Sequence, residues 1–249
     1  FSRALPKLTS TYTLGLSATP KRQDGMTKIF LWFLGPMLFK GEANKKKKVD
    51  VKVIEYKNFD TTYCKEELTG GGQLCYPRMI NNITLYERRT LLIIELVRRL
   101  INKNKKILIL SDRRKHLQTL YEIIEKYSIA TVGFYVGGMK QRDLDISEPK
   151  QILLGTYSMS SEGMDIPTLN TLIMASPKSD IEQSIGRIQR KAHILTPRIF
   201  DIVDDFSTFG NQKNKRLTLY RKFNYDVYKC DMNDLNNKEL LEKKKKSKN

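Results

Sequence analysis

Three side chains that can bind phosphate share one stripe of the segment DIEQSIGRIQRKAH, residues 180–193. Gln183, Arg187 and Arg190 are spaced by four and three residues, which places them on one face of a helix. Two guanidinium groups beside an amide suit a triphosphate, because arginine offers paired N–H donors to phosphate oxygens. Gly186 keeps the helix surface low, so that a nucleotide or a second domain can approach. The alternative interpretation is a basic, solvated surface helix.

The elements around this helix predict an α/β domain. Short apolar runs typical of a buried parallel sheet are predicted as strands at 105–112, 131–136, 151–156, 171–176 and 198–206. Helices are predicted between and around them, at 84–103, 113–127, 179–190 and 211–223. Alternating strands and helices indicate an open, doubly wound parallel sheet, whose sites lie at the carboxyl ends of the strands. Ser111-Asp112 and Gly155-Thr156 each end a strand, so we expect them to converge on one edge.

The residues before this domain are less regular. TYTLGLSATP, residues 11–20, is predicted as a strand, and residues 24–34 as a helix with Asp24 as N-cap. GEANKKKK at 41–48 is predicted as a solvated linker. VDVKVIEY at 49–56 alternates with period two and predicts an edge-type strand. Residues 57–82 are expected to be irregular.

Composition favours a polyanionic partner. The 249-residue chain has a formal net charge of +18, and removing the nine lysines of the two runs at 45–48 and 243–248 still leaves +9. A basic folded body suggests nucleic acid, although a soluble basic protein without such a partner has the same composition.

Cysteine usage and hydropathy narrow the class of protein. Cys64, Cys75 and Cys230 form no CxxC pair, so we expect no metal site and a reducing compartment. No apolar run approaches the ~18–20 residues of a membrane span, and no signal peptide opens the sequence. We expect an intracellular protein without membrane contact. Because the sequence begins with Phe1 in mid-pattern, we expect a fragment of a longer polypeptide.

Four blocks, in this order, resemble the superfamily 2 helicases. LGLSATPKRQDG (14–25) resembles motif III, ILILSDRRKH (107–116) motif IV, GTYSMSSEGMDIP (155–167) motif V and QSIGRIQR (183–190) motif VI. The last block has the Q-x-x-G-R-x-x-R form of motif VI. Ser-Ala-Thr alone is a weak signal, but all four blocks in this order make a strong one. The late IVDDF…KRLTLYRKF segment is similar to the XPB/UvsW-like DNA helicases, a group that includes helicases of large DNA viruses.

The resemblance implies a domain organisation. Such helicases have two RecA-like domains with ATP between them, and the first holds the Walker A loop and the acidic motif that binds Mg²⁺. The sequence contains neither GxxxxGK[ST] nor DExH or DExD. We therefore expect the end of the first RecA-like domain at 1–40, a linker and insert at 41–82, the second RecA-like domain at 83–228, and a charged tail at 229–249.

The resemblance assigns a nucleotide site to motifs V and VI. Arg187 and Arg190 are implied to reach across the cleft to the triphosphate, with Arg190 as the arginine finger, and Gln183 to position the γ-phosphate or the attacking water. Glu162, Gly163 and Asp165 are implied to face the nucleotide. Asp165 would contact the ribose or position an arginine.

Motifs III to V are implied to bind nucleic acid and to couple that binding to ATP. Thr156 would contact the phosphate backbone, with Ser111, Asp112 and Arg113 along the same track. In motif III, Ser17 and Thr19 would couple the state of the bound nucleotide to the binding of the nucleic-acid strand. The alternatives for these residues are helix caps, strand ends and solvated helix starts.

The function expected from these motifs is the C-terminal part of an ATP-dependent DNA helicase or translocase. Its partners would be nucleic acid, with DNA favoured over RNA, and the N-terminal RecA-like domain of the same protein. Its place would be the nucleus, a viral replication site in the cytoplasm, or the virion. Two alternatives stay open: a non-catalytic helicase-like module that binds nucleic acid, and the motor subunit of a restriction or remodelling enzyme.

Overall fold

Two units make up the chain, Phe1–Lys45 and Lys46–Asn249. The computed structural model describes residues 7, 10–16, 25–39, 48–101, 105–162, 164–187, 196–230 and 239–240. No helix among these residues is both long enough and apolar enough to cross a membrane.

The second unit is built on one sheet, in which seven consecutive strands run parallel and a two-residue strand closes one edge in the antiparallel sense. The spatial order is β3-β4-β2-β5-β6-β1-β7-β8. The strands are β1 (Asp50–Tyr56), β2 (Ile107–Leu110), β3 (Val132–Tyr135), β4 (Ile152–Gly155), β5 (Thr171–Met174), β6 (Arg198–Asp204), β7 (Asp226–Cys230) and β8 (Glu239–Leu240).

Helices cover both faces of this sheet. One helix belongs to the first unit, α1 (Thr27–Leu34); those of the second unit are α2 (Thr61–Cys64), α3 (Tyr76–Leu85), α4 (Glu87–Ile101), α5 (Arg114–Lys126), α6 (Gln141–Ser147), α7 (Tyr157–Glu162), α8 (Glu182–Arg187) and α9 (Phe209–Lys222). The predicted α/β fold with a doubly wound parallel sheet is confirmed.

Successive strand residues point to opposite faces, and this alternation divides the core in two. Ile109 and Leu154 pack under α4 and α5. Leu108, Leu153 and Leu172 pack on the other face, under α7, α8 and α9. Every residue of β2, β4 and β5 is buried, as their continuous apolar runs predicted.

The expectation of an edge strand at 49–56 was wrong. Strand β1 lies between β6 and β7, and Val51 pairs with Ile199 on one side and Val227 on the other. The polar residues that suggested a solvated face are accommodated inside: Lys52 is buried, and Glu55 is held between two lysines. Strand β1 therefore belongs to the sheet and not to a linker.

Residues 57–86, called the insert below, contain more structure than the sequence indicated. Helices α2 and α3 enclose a hairpin-like segment closed by a bridge between Leu68 and Leu74. Tyr63, Met79 and Ile83 form a separate small core with Phe209. The long helix predicted at 84–103 is α4, which begins at Glu87, because residues 84 and 85 are the end of α3.

The first unit differs from its predictions at two points. Residues 10–16 contain no strand. Helix α1 begins at Thr27 with Met26 as N-cap, so Asp24, which lies outside the described residues, is not the cap.

Candidate nucleotide and nucleic-acid site

Motifs IV and V meet at the edge of the sheet where the parallel strands end, called the carboxyl edge below. The N–H of Ser111, just beyond β2, donates to the carbonyl of Gly155 at the end of β4, 3.1 Å away. The N–H of Asp112 donates to Ser176 Oγ beyond β5 at 2.9 Å. The ends of three adjacent strands are thereby tied together, at the position where open α/β sheets bind ligands.

Arg187 joins motif VI to motif V. From the last residue of α8, its guanidinium donates to the carbonyl of Ser160 through Nε and to that of Met164 through Nη1, the latter at 2.7 Å. Helices α7 and α8 are also joined by a 2.9 Å hydrogen bond between the buried side chains of Ser160 and Ser184, from Oγ to Oγ. The α8 helix is therefore oriented by the loop that carries the other predicted nucleotide contacts.

Gln183 and Gly186 lie on the exposed side of α8. A Cβ built on Gly186 would meet no atom within 4 Å. Packing within the described residues therefore does not require glycine at this position, and a need for it would have to come from an approaching ligand or domain. Arg190 lies outside the described residues.

Asp165 is exposed, and it shares an electrostatic environment with Arg187. Burial raises the pKa of the Tyr135 hydroxyl, the carboxylates of Glu148, Asp145 and, least, Asp165 add to that increase, and Arg187 opposes it. The two predicted nucleotide contacts thus both act on the end of β3. Glu162 is the last residue of α7, and Gly163 lies outside the described residues.

Ser111 is placed differently from its predicted role. Its side chain is fully buried, where Oγ lies 3.1 Å from His116 Nδ1 and accepts the N–H of Arg113 at 3.2 Å. Burial, and secondarily the charge of Arg89, lowers the pKa of His116 to about 3, so the imidazole is neutral. The Ser111 hydroxyl fixes the start of α5 and is turned away from any phosphate at the surface.

Asp112 forms an ion pair that the sequence analysis missed. Lys178 Nζ lies 3.2 and 3.3 Å from the two carboxylate oxygens and 5.6 Å from the centroid of the Tyr157 ring. The lysine reduces the repulsion that a bare carboxylate would exert on a phosphate. Its signal in the sequence was a basic residue four positions beyond the end of β5, after Ser176-Pro177.

Arg113 points into the insert. Its guanidinium donates to Asn81 Oδ1 at 2.5 Å and to the Pro77 carbonyl at 3.0 Å, both on α3. Arg114 donates to the Gly137 carbonyl. Both arginines therefore connect motif IV to neighbouring segments, and both also add positive charge to it.

Thr156 caps helix α7. Its Oγ1 accepts the N–H of Met159 at 3.4 Å and lies 3.2 Å from Ser158 Oγ. The hydroxyl is only partly buried and stands at the carboxyl edge, so a cap and a phosphate contact are compatible there.

A buried ion pair that the sequence did not suggest supports this edge. Arg89 at the start of α4 donates to Asp204 at the end of β6 through Nε (2.6 Å) and Nη2 (2.9 Å), and to the Ala175 carbonyl through Nη1 (2.5 Å). Tyr63 of α2 donates to the same carboxylate at 2.7 Å. Burial followed by the charge of Asp204 raises the pKa of Tyr63, which keeps the phenol protonated.

A second buried ion pair joins α9 to β6. Arg216 of α9 is buried and donates to Asp201 Oδ2 at 2.9 Å and to the Lys178 carbonyl at 2.8 Å. Tyr220 donates to the same carboxylate oxygen at 2.9 Å. Arg216 thus holds the loop that presents Lys178.

Motif III is described only in part. Ser17 and Thr19 lie outside the described residues. Gly15 is close-packed in the first unit, where an added Cβ would lie 2.7 Å from Leu34 Cδ1.

Comparison with known proteins agrees with the four blocks. Residues 90–194 match the family described as helicase conserved C-terminal domain. The candidate ATP-dependent RNA helicase L396 of Acanthamoeba polyphaga mimivirus is 39% identical over 235 residues, covering 92% of this chain and 45% of the relative. The candidate helicase 161L of Invertebrate iridescent virus 6 is 29% identical over 238 residues, covering 88% of this chain and 51% of the relative.

A solved structure shares the fold. The crystal structure of T4 UvsW matches with a TM-score of 0.59 at 19% identity, over 83% of this chain and 45% of that one. The resemblance to viral helicases of superfamily 2 and the RecA-like fold are confirmed by these matches. The chain spans about half the length of the curated relatives it matches.

Proposed function

We propose that this chain is the C-terminal part of an ATP-dependent DNA helicase or translocase, because residues 90–194 match the helicase conserved C-terminal domain. The observation that carries the proposal is the junction of motifs V and VI at the carboxyl edge, where Arg187 donates to the carbonyls of Ser160 and Met164. A solvated basic helix would have no reason to be anchored there.

The proposed catalytic group is a pair of arginines. ATP, when bound, supplies the phosphoryl group that is transferred to water, and negative charge builds up on that group in the transition state. An arginine brought from a neighbouring domain is worth ~10³–10⁵ in rate at this point. We assign this role to Arg190, with Arg187 also on the phosphates and Gln183 orienting the γ-phosphate or the water.

The anchoring of Arg187 suggests how motif V takes part. Since its guanidinium is hydrogen-bonded to the backbone carbonyls of Ser160 and Met164, a change in the position of Arg187 would be transmitted to Glu162, Gly163 and Asp165. We propose that Asp165 contacts the ribose or positions an arginine. The exposed face at Gly186 leaves room for the nucleotide or the opposing domain.

The proposed grip on nucleic acid runs along the carboxyl edge. Thr156 offers a partly exposed hydroxyl to a phosphate, and Lys178 and Arg113 supply positive charge. Hydroxyls and cations bind the backbone without reading bases. Ser111 acts indirectly, by fixing the strand end, and the Asp112 carboxylate positions Lys178.

We propose DNA as the nucleic acid, on the resemblance of the motifs to DNA helicases. RNA is the second candidate, because the name of the mimivirus relative specifies RNA. Strand displacement by the full-length protein, on DNA and RNA duplexes of matched sequence and overhang, separates the two. Unwinding of the RNA duplex alone would replace DNA with RNA in this proposal.

The partner we propose is an N-terminal RecA-like domain of the same polypeptide, which would hold Mg²⁺ and most contacts to ATP. The first unit supports this. No residue of α1 is buried, and Trp32 is 76% exposed. An apolar helix of sequence TKIFLWFL requires an apolar surface to cover it. Ser17 and Thr19 would couple that domain to the strand grip, and we expect the present chain alone to hydrolyse ATP slowly.

The test is Arg190→Ala in the full-length protein, assayed for ATP turnover and for nucleic-acid binding. We expect turnover to fall by ~10³-fold or more while binding persists. Arg99→Ala, an exposed arginine on α4 paired with Glu95, is the matched control and should leave both unchanged. Turnover near the wild-type rate in Arg190→Ala would refute the finger assignment.

A further inference from the structure

Phe59, three residues beyond the end of β1, is the most exposed aromatic side chain described in the second unit, at 94%. Its aromatic neighbours pack together instead. The Tyr63 ring lies 5.2 Å from that of Tyr56, 5.2 Å from that of Tyr86 and 5.1 Å from that of Phe206. Phe59 is thus excluded from an aromatic cluster that begins a few residues away.

The backbone on either side of Phe59 is fixed. Asn58 Nδ2 donates to the Tyr86 hydroxyl at 2.9 Å, and Asn58 Oδ1 accepts the N–H of Asp60 at 2.9 Å. The Tyr86 hydroxyl in turn donates to Asp60 Oδ2 at 3.1 Å, while Asp60 Oδ1 caps α2 through the N–H of Thr62 at 2.9 Å. The loop holds the backbone that carries the exposed ring, which lowers the entropy that is lost when a ligand binds.

Local folding does not explain this residue. Phe59 precedes the N-cap Asp60 of α2, the position where an apolar side chain commonly packs against the fourth helical residue, here Cys64. A ring that is 94% exposed makes no such contact. The exposed apolar area is therefore left available for something outside the described residues.

The position of the loop connects it to the proposed nucleic-acid track. Strands β1 and β2 are parallel and separated by β5 and β6, so their ends lie on the same edge, ~14 Å apart at the usual strand spacing. Arg113 of motif IV donates to Asn81 and to the Pro77 carbonyl in the same insert. The surface that begins at motif IV therefore continues into the insert.

Charge indicates which part of a nucleic acid would lie here. The insert contains three basic residues (Lys57, Lys65, Arg78) and three acidic ones (Asp60, Glu66, Glu67), so it is electrically balanced although the chain is strongly basic. A balanced surface with one projecting ring suits the uncharged face of a base better than a phosphate. Stacking of bases on aromatic side chains is tolerant of sequence.

We propose that Phe59 stacks on an unpaired base of a single strand bound along the carboxyl edge. This inference rests on the proposed function and adds a base contact to its backbone contacts. A strand leaving motif IV would place a base on Phe59 after several nucleotides, since successive nucleotides rise ~3.4 Å in a stacked strand.

The experiment measures binding of this chain to labelled oligothymidylate and oligouridylate of about 20 nucleotides, longer than the ~4–16 that such grooves span. Fluorescence anisotropy at several salt concentrations compares the wild type with Phe59→Ala, Phe59→Trp and Tyr127→Ala. Tyr127 is the matched control, because it is an exposed aromatic that follows the end of α5 at the opposite edge of the sheet. Thermal unfolding checks that all variants fold.

We expect Phe59→Ala to weaken binding roughly 5- to 100-fold, Phe59→Trp to retain it and Tyr127→Ala to leave it unchanged. The salt dependence should stay the same, because no phosphate contact is removed. Wild-type affinity in Phe59→Ala overturns this inference and leaves the proposed function intact. An equal loss for a blunt duplex also overturns it, because a duplex offers no unpaired base. A wild type that binds neither oligonucleotide at low salt refutes the nucleic-acid part of the proposed function itself.

Discussion

Helix α1 of the first unit buries none of its eight residues, whereas β2, β4 and β5 of the second unit bury every residue they have. The helix and the three strands are all apolar in sequence, so the difference in burial comes from the structure that covers them. The second unit supplies its own cover, since helices pack on both faces of its sheet. The first unit exposes Trp32, Leu38 and Phe39. The comparison teaches that an apolar sequence indicates a need for burial without indicating where the covering surface comes from.

The largest effect should come from breaking the buried ion pair of the second unit. Asp204→Ala leaves the guanidinium of Arg89 uncompensated at a site where both side chains are fully buried, and removes an acceptor from Tyr63. We expect the free energy of unfolding to fall by ~3–5 kcal/mol, measured by urea denaturation. Asp205→Ala, which breaks an exposed pair with Lys57, is the control and should have little effect. Similar losses in the two variants would show that the buried pair has no special role.

A cavity in the core of the second unit should lower the free energy of unfolding almost as much. Truncation of an exposed apolar side chain in the first unit should leave it unchanged. Leu153→Ala removes a fully buried side chain from β4, and we expect a loss of ~2–5 kcal/mol in the free energy of unfolding. Trp32→Ala removes a larger but mostly exposed side chain, and the main unfolding transition should not move. A clear destabilisation by Trp32→Ala would mean that this ring is covered in solution, against the comparison.

Acid should weaken the second unit through His116. The ordinary pKa of histidine is 6.5, and burial lowers that of His116 to about 3 in the folded state. Below pH 6.5 the His116 imidazole is therefore protonated in the unfolded chain, while in the folded chain it stays neutral down to about pH 3. The free energy of unfolding consequently decreases as the pH falls. Between pH 7 and pH 5 this amounts to ~2 kcal/mol, measured as urea unfolding at each pH. His116→Gln should remove that part of the slope, and an unchanged slope would contradict the assignment.

The smallest effect on the stability of the second unit should come from deletion of the whole first unit. Every buried apolar side chain in the described core lies at Val49 or later, so deletion of residues 1–45 should leave the urea midpoint of the second unit unchanged. The deletion should also improve solubility, because it removes exposed apolar side chains. A shifted midpoint would contradict this prediction.

The central part of the fold could be predicted from sequence because its strands are short, continuous and apolar. Ile107–Leu110 and Thr171–Met174 have no polar residue facing solvent, and such runs occur where both faces of a sheet are covered. Strand β1 could not be predicted in this way. Its lysine and glutamate imitate a solvated face, and only long-range neighbours such as Lys213 and Lys229 neutralise the Glu55 carboxylate.

In the candidate site, too, the features set by local sequence could be predicted and those set by distant residues could not. The Q-x-x-G-R-x-x-R spacing located the helix that carries Arg187, because a helical stripe is a local property. The acceptors of Arg187 lie more than twenty residues away in sequence, at Ser160 and Met164, and no local pattern specifies them. The burial of the Ser111 side chain could not be predicted for a similar reason. Its burial depends on His116 and on a neighbouring strand, which the sequence alone does not place.

Strand β1 has a consequence for the synthesis of this protein. Among the strands of the described residues it is synthesised first, yet Asp50 pairs with Arg198 and Asp226, more than 140 residues later in the sequence. At ~5–20 residues per second, a ribosome needs roughly 7–30 s to advance from one partner to the other. During that time the nascent segment DVKVIEY has neither of its neighbours, and its hydrogen-bonding groups are open to association with other chains. The part of the sheet formed by β6, β1 and β7 is therefore completed late, and chaperone binding to the emerging chain would have its greatest effect there.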